Sequence, residues 1–339
     1  MILYEFEYER ARSVSDAAAL LARLGPGARV MGGGTDLLPN MRLEIARPTA
    51  IVGLTGIDAA EPSVTPEGGL RIDGLMTLAA ITRSDLISTI APMVAESARV
   101  VGSNQVREMG TLAGNLCQDS RCLQLNQKHD FQFKAPCFKR GGECCYPFPR
   151  NRPGICWSVY MSDVAPALIS LNAELETLRG EGERRFAVEN LFTGDGANPI
   201  GLDAGEIIRA VVIPPTPSDF GWGYHKSSRR GGFEFGMAVI AVALSLNADK
   251  QTCAAARVVI GAIRERPMQA RKAEQALVGQ PIDDKLIASV VAAAIEEVNP
   301  LPHHGFSRSY LIDNIRVYLR RVLLQAIERA RVVSCDVKG

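Results

Sequence analysis

The sequence has no long apolar run and no surplus of charge of either sign. None of its apolar stretches reaches the roughly 18 to 20 residues that span a bilayer. Its 38 basic residues are matched by 37 acidic ones, so net charge gives no reason to expect a nucleic-acid or anionic-membrane partner. The first ten residues are acidic and alternating, which indicates a strand and not a signal peptide. We therefore expect a cytoplasmic protein.

Several familiar catalytic and nucleotide-binding motifs are also missing. The glycine turns match neither G-x-G-x-x-G nor G-x-x-x-x-G-K-[ST], and no C-x-x-C pair is present. The residues suggest no Ser/His/Asp arrangement, and the adjacent His303 and His304 lie in a Pro-rich turn typical of surface or packing. We therefore expect no substrate-processing catalytic residues in this chain.

What the sequence does contain is enough apolar material for about two domains, with 339 residues of which 47% are hydrophobic. Strand and turn signals predict two α/β lobes that divide near residue 58, an irregular segment over about 118–157, and a linker at Pro214–Pro217. Beyond the linker, periodicity predicts two strands and three helices, over 237–247, 255–263, 268–278, 283–298 and 307–331. The predicted domains are 1–215 and 216–332, with a tail at 333–339.

Two glycine turns are the candidates for binding a nucleotide. Gly32–Asp36 follows a short apolar strand, and successive N–H groups in such a turn form a nest for an anion. Gly110–Asn115 is a second glycine turn about 75 residues later. Together they predict a clasp around one diphosphate. From these residues alone, a plain tight turn and a separate structural role for the second turn remain open.

The order and spacing of four segments resemble the FAD-binding medium subunit of the xanthine oxidase family of molybdenum hydroxylases. The segments are Gly32–Leu37, Gly110–Leu116, Ser162–Leu168 and Tyr224–Arg230. The resemblance covers essentially the whole chain. It implies an α+β fold with a two-part FAD-binding domain of the xanthine oxidase/vanillyl-alcohol oxidase-like type and a smaller α+β C-terminal domain. The residues that it implies for FAD binding are Gly32, Gly33, Gly34, Thr35, Asp36, Thr111, Gly114, Asn115, Asp163, Ile208 and Lys226.

The resemblance gives these residues different roles. The two glycine turns would hold the diphosphate, and Asp163 would bond the ribityl or ribose hydroxyls. Lys226 would lie near the flavin pyrimidine, where a cation stabilises negative charge on reduced flavin. Ile208 matches a position that packs near the flavin ring. From the residues alone, a solvated strand lysine and an ordinary core isoleucine remain the alternatives.

Six of the eight cysteines lie between Cys117 and Cys156, within the irregular segment or next to it. Disulfides are rare in a reducing cytosol, and so long an irregular loop in a compact domain is usually functional. Four thiolates suit a [4Fe–4S] cluster, but zinc accepts four thiolates too, so the number of cysteines leaves both open. We expect Cys117 to belong to the second glycine turn as a small buried thiol.

The cysteine segment resembles one subgroup of the family, the β subunit of 4-hydroxybenzoyl-CoA reductase. The matching stretches are Gln118–Cys122, Asn126–Gln127, Cys137–Gly142, Cys145 and Cys156. By position, the resemblance implies a [4Fe–4S] cluster with Cys122, Cys137, Cys145 and Cys156 as ligands. Cys144 departs from the pattern, so the choice between it and Cys145 stays open, with Cys145 favoured.

The subgroup implies an electron-transfer role in an enzyme that removes the para hydroxyl of 4-hydroxybenzoyl-CoA. Electrons would pass from ferredoxin through [4Fe–4S] and FAD to two [2Fe–2S] clusters and molybdopterin-bound molybdenum. Those last centres would belong to a small and a large partner subunit, in a heterotrimer that dimerises to a heterohexamer. The alternatives are an oxidative flavin subunit of the xanthine dehydrogenase or CO dehydrogenase type, a zinc-stapled flavin subunit, and a nucleotide-binding scaffold without activity.

The cysteine segment is also basic. Between Arg121 and Arg152 it has seven basic and two acidic residues, so its charge is 7 − 2 = +5. An anionic iron–sulfur cluster would offset part of this charge. We expect the remainder to steer an acidic donor such as ferredoxin, and we expect weaker reduction when Lys134, Lys139 and Arg140 are neutralised. An ordinary solvated face is the alternative.

Overall fold

The structure is a computed structural model that describes residues 3–124, 136–149, 154–180, 182–217, 219–231 and 233–332. Asn126, Gln127, Lys134 and the predicted tail at 333–339 lie outside these residues. Among the described helices, none is both long and apolar enough to cross a membrane.

The first lobe is a three-stranded parallel sheet in the order β1-β3-β2. Its elements are β1 (Glu7–Arg10), α1 (Val14–Leu24), β2 (Ala28–Met31), α2 (Leu37–Arg42) and β3 (Ala50–Gly53). Ser13 begins α1 because its hydroxyl accepts the Asp16 N–H at 3.0 Å, and Gly25 ends the helix at φ 78°. The predicted α/β lobe is confirmed, and the first glycine turn lies directly after β2.

The second lobe is a five-stranded antiparallel sheet in the order β4-β5-β8-β6-β7, with helices packed on it. Its elements are β4 (Ser63–Val64), β5 (Leu70–Asp73), α3 (Leu78–Arg83), α4 (Asp85–Ile90), α5 (Pro92–Arg99), α6 (Asn104–Met109), α7 (Leu112–Leu116), α8 (Ala165–Ser170), β6 (Glu174–Arg179), β7 (Gly182–Ala187) and β8 (Ile207–Ile213). The helical segment after β5 begins with two short helices, α3 and α4, in place of one longer helix. Ser84 separates them, because its extended backbone ends α3 while its hydroxyl caps α4.

The C-terminal domain is a four-stranded antiparallel sheet in the order β12-β11-β10-β9. Its elements are β9 (Phe220–Ser227), β10 (Ala238–Leu246), β11 (Cys253–Gly261), β12 (Met268–Gln269), α9 (Arg271–Leu277), α10 (Asp284–Val298) and α11 (Arg308–Val332). The predicted α+β domain is confirmed. Strand β10 is buried on both faces: Ile240 and Val242 pack with the C-terminal helices, whereas Val239 and Ala241 join the core of the second lobe. Through this second face, the sheet packs on the second lobe, which brings Lys226 of β9 next to Asp163.

Candidate cofactor sites

The two glycine turns lie against each other. A Cβ at Gly33 would come within 1.7 Å of the Met109 carbonyl oxygen, and a Cβ at Gly32 would lie 3.2 Å from Thr111 Oγ1. Gly34 has φ 71°, a conformation that side-chain-bearing residues rarely adopt. Glycine is therefore required here both for close approach and for backbone conformation. The structure brings together the two turns that the sequence predicts as one clasp.

The second turn is attached to the segment that carries Asp163. Thr111 caps α7, because its Oγ1 accepts the Gly114 N–H at 3.0 Å. Asn115 is buried, and its Oδ1 accepts the Ser162 hydroxyl at 2.5 Å. Ser162 directly precedes Asp163, so the predicted contacts at 111–115 and at Asp163 belong to one bonded unit.

Asp163 and Lys226 form a buried ion pair. The Asp163 Oδ2 to Lys226 Nζ distance is 2.7 Å, and the side chains are 6% and 5% exposed. Lys226 also donates to the Val100 carbonyl at 2.9 Å, and the Tyr224 hydroxyl donates to the Asp163 carbonyl at 3.0 Å. Burial raises the pKa of Asp163 to about 6, against the opposing effect of Lys226. Asp163 Oδ1 is buried and finds no donor among the described residues, which leaves it available to a ligand hydroxyl.

Three other predicted residues lie in different surroundings. Ile208 is in β8 with 2% exposure, packed in the core of the second lobe. Thr35 is exposed at the first turn. The Asp36 carboxylate accepts the Asp119 N–H at 2.9 Å and pairs with Arg121, so this side chain is directed to the cysteine segment and not to the second turn.

Five cysteines line one small cavity, which we call the cysteine cavity: Cys122, Cys137, Cys144, Cys145 and Cys156. Phe138, Tyr146 and Trp157 form part of its wall. Burial raises the pKa of the Cys156 thiol to about 12, and burial also raises the pKa of Cys145. Within the described ranges, no group of three or more His, Cys, Asp or Glu is arranged to hold a metal ion.

Cys144 and Cys145 differ in their surroundings. Cys145 is buried, and the backbone N–H groups of Phe148 and Trp157 oppose the rise in the pKa of its thiol. Its pKa is also affected by Cys122 and Cys137, which places it among the other thiols. Cys144 is only partly buried, and its Sγ approaches the Pro136 carbonyl at 3.8 Å. Both thiols line the cavity, and the choice of Cys145 stays a prediction.

One expectation about this segment is wrong, and another is met only in part. Cys117 follows the end of α7 and is exposed as a residue, because the inward positions of that helix are taken by Leu112 and Leu116. Its thiol nevertheless lies in a desolvated position, since burial raises its pKa to about 12. Lys139 cannot steer a partner at the surface, because its side chain is only 7% exposed and pairs with Asp119.

The charge available at the surface of the segment is correspondingly smaller. Lys139 pairs with Asp119, and Arg121 pairs with Asp36 and is 10% exposed. Both carboxylates lie outside residues 121–152, over which the charge was counted, so they reduce the formal charge of that stretch from +5 to 5 − 2 = +3. The role of these two cations was not predicted, although Arg121 is adjacent to one cysteine and Lys139 is two residues from another.

Two family models match the chain. One, described as the FAD binding domain in molybdopterin dehydrogenase, matches residues 4–216. The other, described as the CO dehydrogenase flavoprotein C-terminal domain, matches residues 222–326. The chain belongs to this family of FAD-binding subunits of molybdenum hydroxylases. It is thus an FAD-binding oxidoreductase subunit of the CO dehydrogenase or xanthine dehydrogenase type.

Individual relatives extend over most of the chain. The carbon monoxide dehydrogenase medium chain of Afipia carboxidovorans is 27% identical over 332 residues, which are 98% of this chain and 100% of that one. The aldehyde oxidoreductase FAD-binding subunit PaoB of Escherichia coli is 31% identical over 299 residues, covering 84% and 90%. A chain of the Cu,Mo-CO dehydrogenase crystal structure, in its cyanide-inactivated form, superimposes with a TM-score of 0.76 at 26% identity. That superposition covers 97% of this chain and 100% of the other.

Proposed function

We propose that this chain is the FAD and [4Fe–4S] electron-transfer subunit of an enzyme of the 4-hydroxybenzoyl-CoA reductase type. The cysteine cavity is the observation that carries the proposal. The four cysteines that the subgroup resemblance implies as ligands all line it, and the segment that contains them packs on the first glycine turn. A [4Fe–4S] cluster requires four thiolates.

The donors around the cavity suit such a cluster. Backbone N–H groups oppose the rise in the pKa of the Cys145 and Cys156 thiols, so they favour the thiolate form that a cluster requires. Lys139 is close enough to Cys156 to oppose the rise in the pKa of that thiol, so it favours negative charge there. We assign the ligands as Cys122, Cys137, Cys145 and Cys156. The cluster would supply one-electron transfer.

FAD would exchange electron pairs with one partner and single electrons with another. We assign its diphosphate to the backbone of Gly32–Asp36 and to the turn at Thr111–Asn115. The unpartnered Oδ1 of Asp163 is the acceptor that we assign to a ribityl or ribose hydroxyl. Lys226 holds a buried positive charge beside Asp163, and we assign it to the pyrimidine end of the flavin. We keep the assignment of Ile208 as a residue that packs near the flavin ring, from its place in the core of the second lobe.

The catalytic centre would lie outside this chain. We propose a large molybdopterin–molybdenum subunit and a small subunit with two [2Fe–2S] clusters as partners, in a cytoplasmic heterotrimer that dimerises. Ferredoxin would be the electron donor, and the reaction would be the reductive removal of the para hydroxyl to give benzoyl-CoA. The terms medium chain and FAD-binding subunit in the names of the relatives support an assembly of several subunits.

A second candidate is a dehydrogenase that works in the oxidative direction. The likeness to a carbon monoxide dehydrogenase medium chain and to an aldehyde oxidoreductase subunit favours it. In that case electrons would leave the holoenzyme through this subunit.

Metal analysis of the purified complex tests the iron–sulfur cluster. About four iron and four acid-labile sulfide beyond the [2Fe–2S] content are expected, whereas zinc in their place would contradict the proposal. EPR of the reduced subunit, alone and in complex, would show whether the signal belongs to this chain.

The choice of ligands has its own test. Cys145→Ser should remove most of the additional iron, because Cys145 lies among the other thiols. The matched control is Cys144→Ser, which should keep it because that thiol lies towards Pro136. The reverse result would exchange the two assignments.

The direction of the reaction is tested by substrate. With reduced ferredoxin, the complex should form benzoyl-CoA from 4-hydroxybenzoyl-CoA. Reduction of the flavin by an aldehyde or by carbon monoxide, with no benzoyl-CoA formed, would favour the second candidate.

A further inference from the structure

A buried lysine extends from one side of the cysteine cavity. Lys139 follows Cys137 by two residues, and its side chain is 7% exposed. Its ammonium donates to Ser120 Oγ at 2.8 Å and to the Gly196 carbonyl at 2.7 Å, and it pairs with Asp119. All three of its protons therefore have acceptors.

A buried arginine extends from the other side. Arg121 directly precedes Cys122, and its side chain is 10% exposed. It pairs with Asp36 and donates to Asn40 Oδ1 at 3.2 Å. Its backbone is fixed to Val159 by two hydrogen bonds, of 2.7 and 3.0 Å.

These two cations are linked through Asp36, at the end of the first glycine turn. Asp36 ends that turn, and its Oδ2 accepts the Asp119 N–H at 2.9 Å. A chain of contacts thus links the segment at Cys137 to the segment at Cys122. Its members are Lys139, Asp119, Asp36 and Arg121, which we call the charge brace. A third cysteine is joined as well, because the Gly196 N–H donates to the carbonyl of Cys156 at 2.8 Å.

We propose that the charge brace couples the two cofactor sites, so that filling the cysteine cavity strengthens FAD binding and FAD strengthens the hold on the ligand in the cavity. This inference rests on the proposed function. A ligand that fixes Cys122 and Cys137 also fixes the two cations. Arg121 pairs directly with Asp36 of the turn assigned to the FAD diphosphate, and Lys139 is linked to Asp36 through Asp119. Pulling the segments apart would leave buried charges unpaired, which is costly. Coupling between two sites is reciprocal. Arg121 and Lys139 are positioning residues.

The test is an FAD titration of the flavin-free complex, with the cavity filled and after its metal is removed by a chelator. In the wild type, FAD should bind about tenfold more tightly when the cavity is filled. In Lys139→Met the ratio of the two dissociation constants should fall close to one. Asp119→Asn keeps the shape of its side chain, removes the charge that pairs with Lys139, and should also reduce the ratio. This second variant keeps the test valid if Lys139→Met does not fold.

The matched control is Lys250→Met. Lys250 pairs with Asp219 at 2.9 Å in the C-terminal domain and should keep the wild-type ratio. The coupling is overturned if Lys139→Met and Asp119→Asn both keep that ratio, or if the wild type takes up iron and shows a ratio of one. Uptake of zinc in place of iron would overturn the proposed function alone, because the ratio is still measured with zinc. Uptake of neither metal would overturn both.

Discussion

Two buried lysine–carboxylate pairs, one at each candidate cofactor site, differ in how completely their atoms are bonded. Lys226 and Asp163 are 5% and 6% exposed, and Asp163 Oδ1 has no donor among the described residues. Lys139 is similarly buried, but its ammonium has three acceptors, and its partner Asp119 is 25% exposed.

This difference in bonding indicates different roles for the two pairs: the first is suited to bind a ligand, and the second to hold segments of the chain together. A buried carboxylate oxygen without a donor costs free energy until something completes its bonds, so the pair that we assign to the flavin is prepared for a ligand. A buried ammonium with all its donors used has nothing left to offer a ligand. Its contribution is to hold two segments of chain together, and we therefore expect the two pairs to respond differently to the same substitution.

Removal of the cation from the incompletely bonded pair should have the largest effect. Lys226→Met leaves Asp163 buried without its partner, and it should lower the free energy of unfolding by about 3 kcal/mol. Flavin content should fall with it. Chemical denaturation at pH 7 and the flavin-to-protein ratio measure the two effects.

Two further variants keep this result interpretable. Lys250→Met removes a lysine from a half-exposed pair and should cost less than about 1 kcal/mol. In Lys226→Met/Asp163→Leu both charges are gone, so much of the lost stability should return while FAD binding stays weak. If the double variant were as unstable as the single one, the unpaired charge would not be the cause.

The comparison between the two sites also shows what the sequence could predict. The strands of the first lobe and most elements of the C-terminal domain follow from apolar periodicity and turn residues, and Asp283 and Gly25 are typical residues for helix ends. Helix α2 and strands β9 and β12 were not predicted. Helices α6 and α7 were missed because five or six residues are too short to show a period, although Ser103 and Thr111 cap them.

At the two candidate cofactor sites, the sequence alone identified the cysteines and glycines but could not show which charged side chains are buried. Cys145 and Gly33 could be singled out because few other residue types bind iron or permit such close backbone contact. In the sequence, Lys139 and Arg121 look like ordinary surface cations, because nothing there shows that they pair with Asp119 and Asp36. Only the tertiary contacts distinguish a brace from a basic face.

A substitution in the glycine turns should have a smaller effect. It distinguishes the candidate FAD site, which is formed by backbone atoms, from the cysteine cavity, which is formed by side chains. Gly33→Ala places a Cβ within 1.7 Å of the Met109 carbonyl oxygen, so the two glycine turns must move apart. We expect a loss of about 2 kcal/mol in the free energy of unfolding, together with weaker FAD binding and a loss of iron that is smaller than the loss of flavin. Denaturation, FAD titration and metal analysis provide these three values.

The control for that substitution is Gly182→Ala, where the nearest atom to the new Cβ is the Arg179 carbonyl oxygen at 3.5 Å. It should change stability by less than about 0.5 kcal/mol. Loss of iron from Gly33→Ala without loss of FAD would reverse the assignment of the turn.

The smallest expected effect is the pH dependence of FAD affinity. Burial raises the pKa of Asp163 to about 6 in the ligand-free chain, so this carboxyl is protonated below that pH and ionised above it. A ligand hydroxyl that donates to Oδ1 favours the ionised form and lowers the pKa, so binding releases a proton and affinity rises with pH up to about 6. The rise should be about fivefold, the difference between a charge-assisted and a neutral hydrogen bond. FAD titrations between pH 5 and pH 7.5 should show this rise in the wild type and a flat profile in Asp163→Asn, whereas a rise that persists in Asp163→Asn would assign the titration to another group.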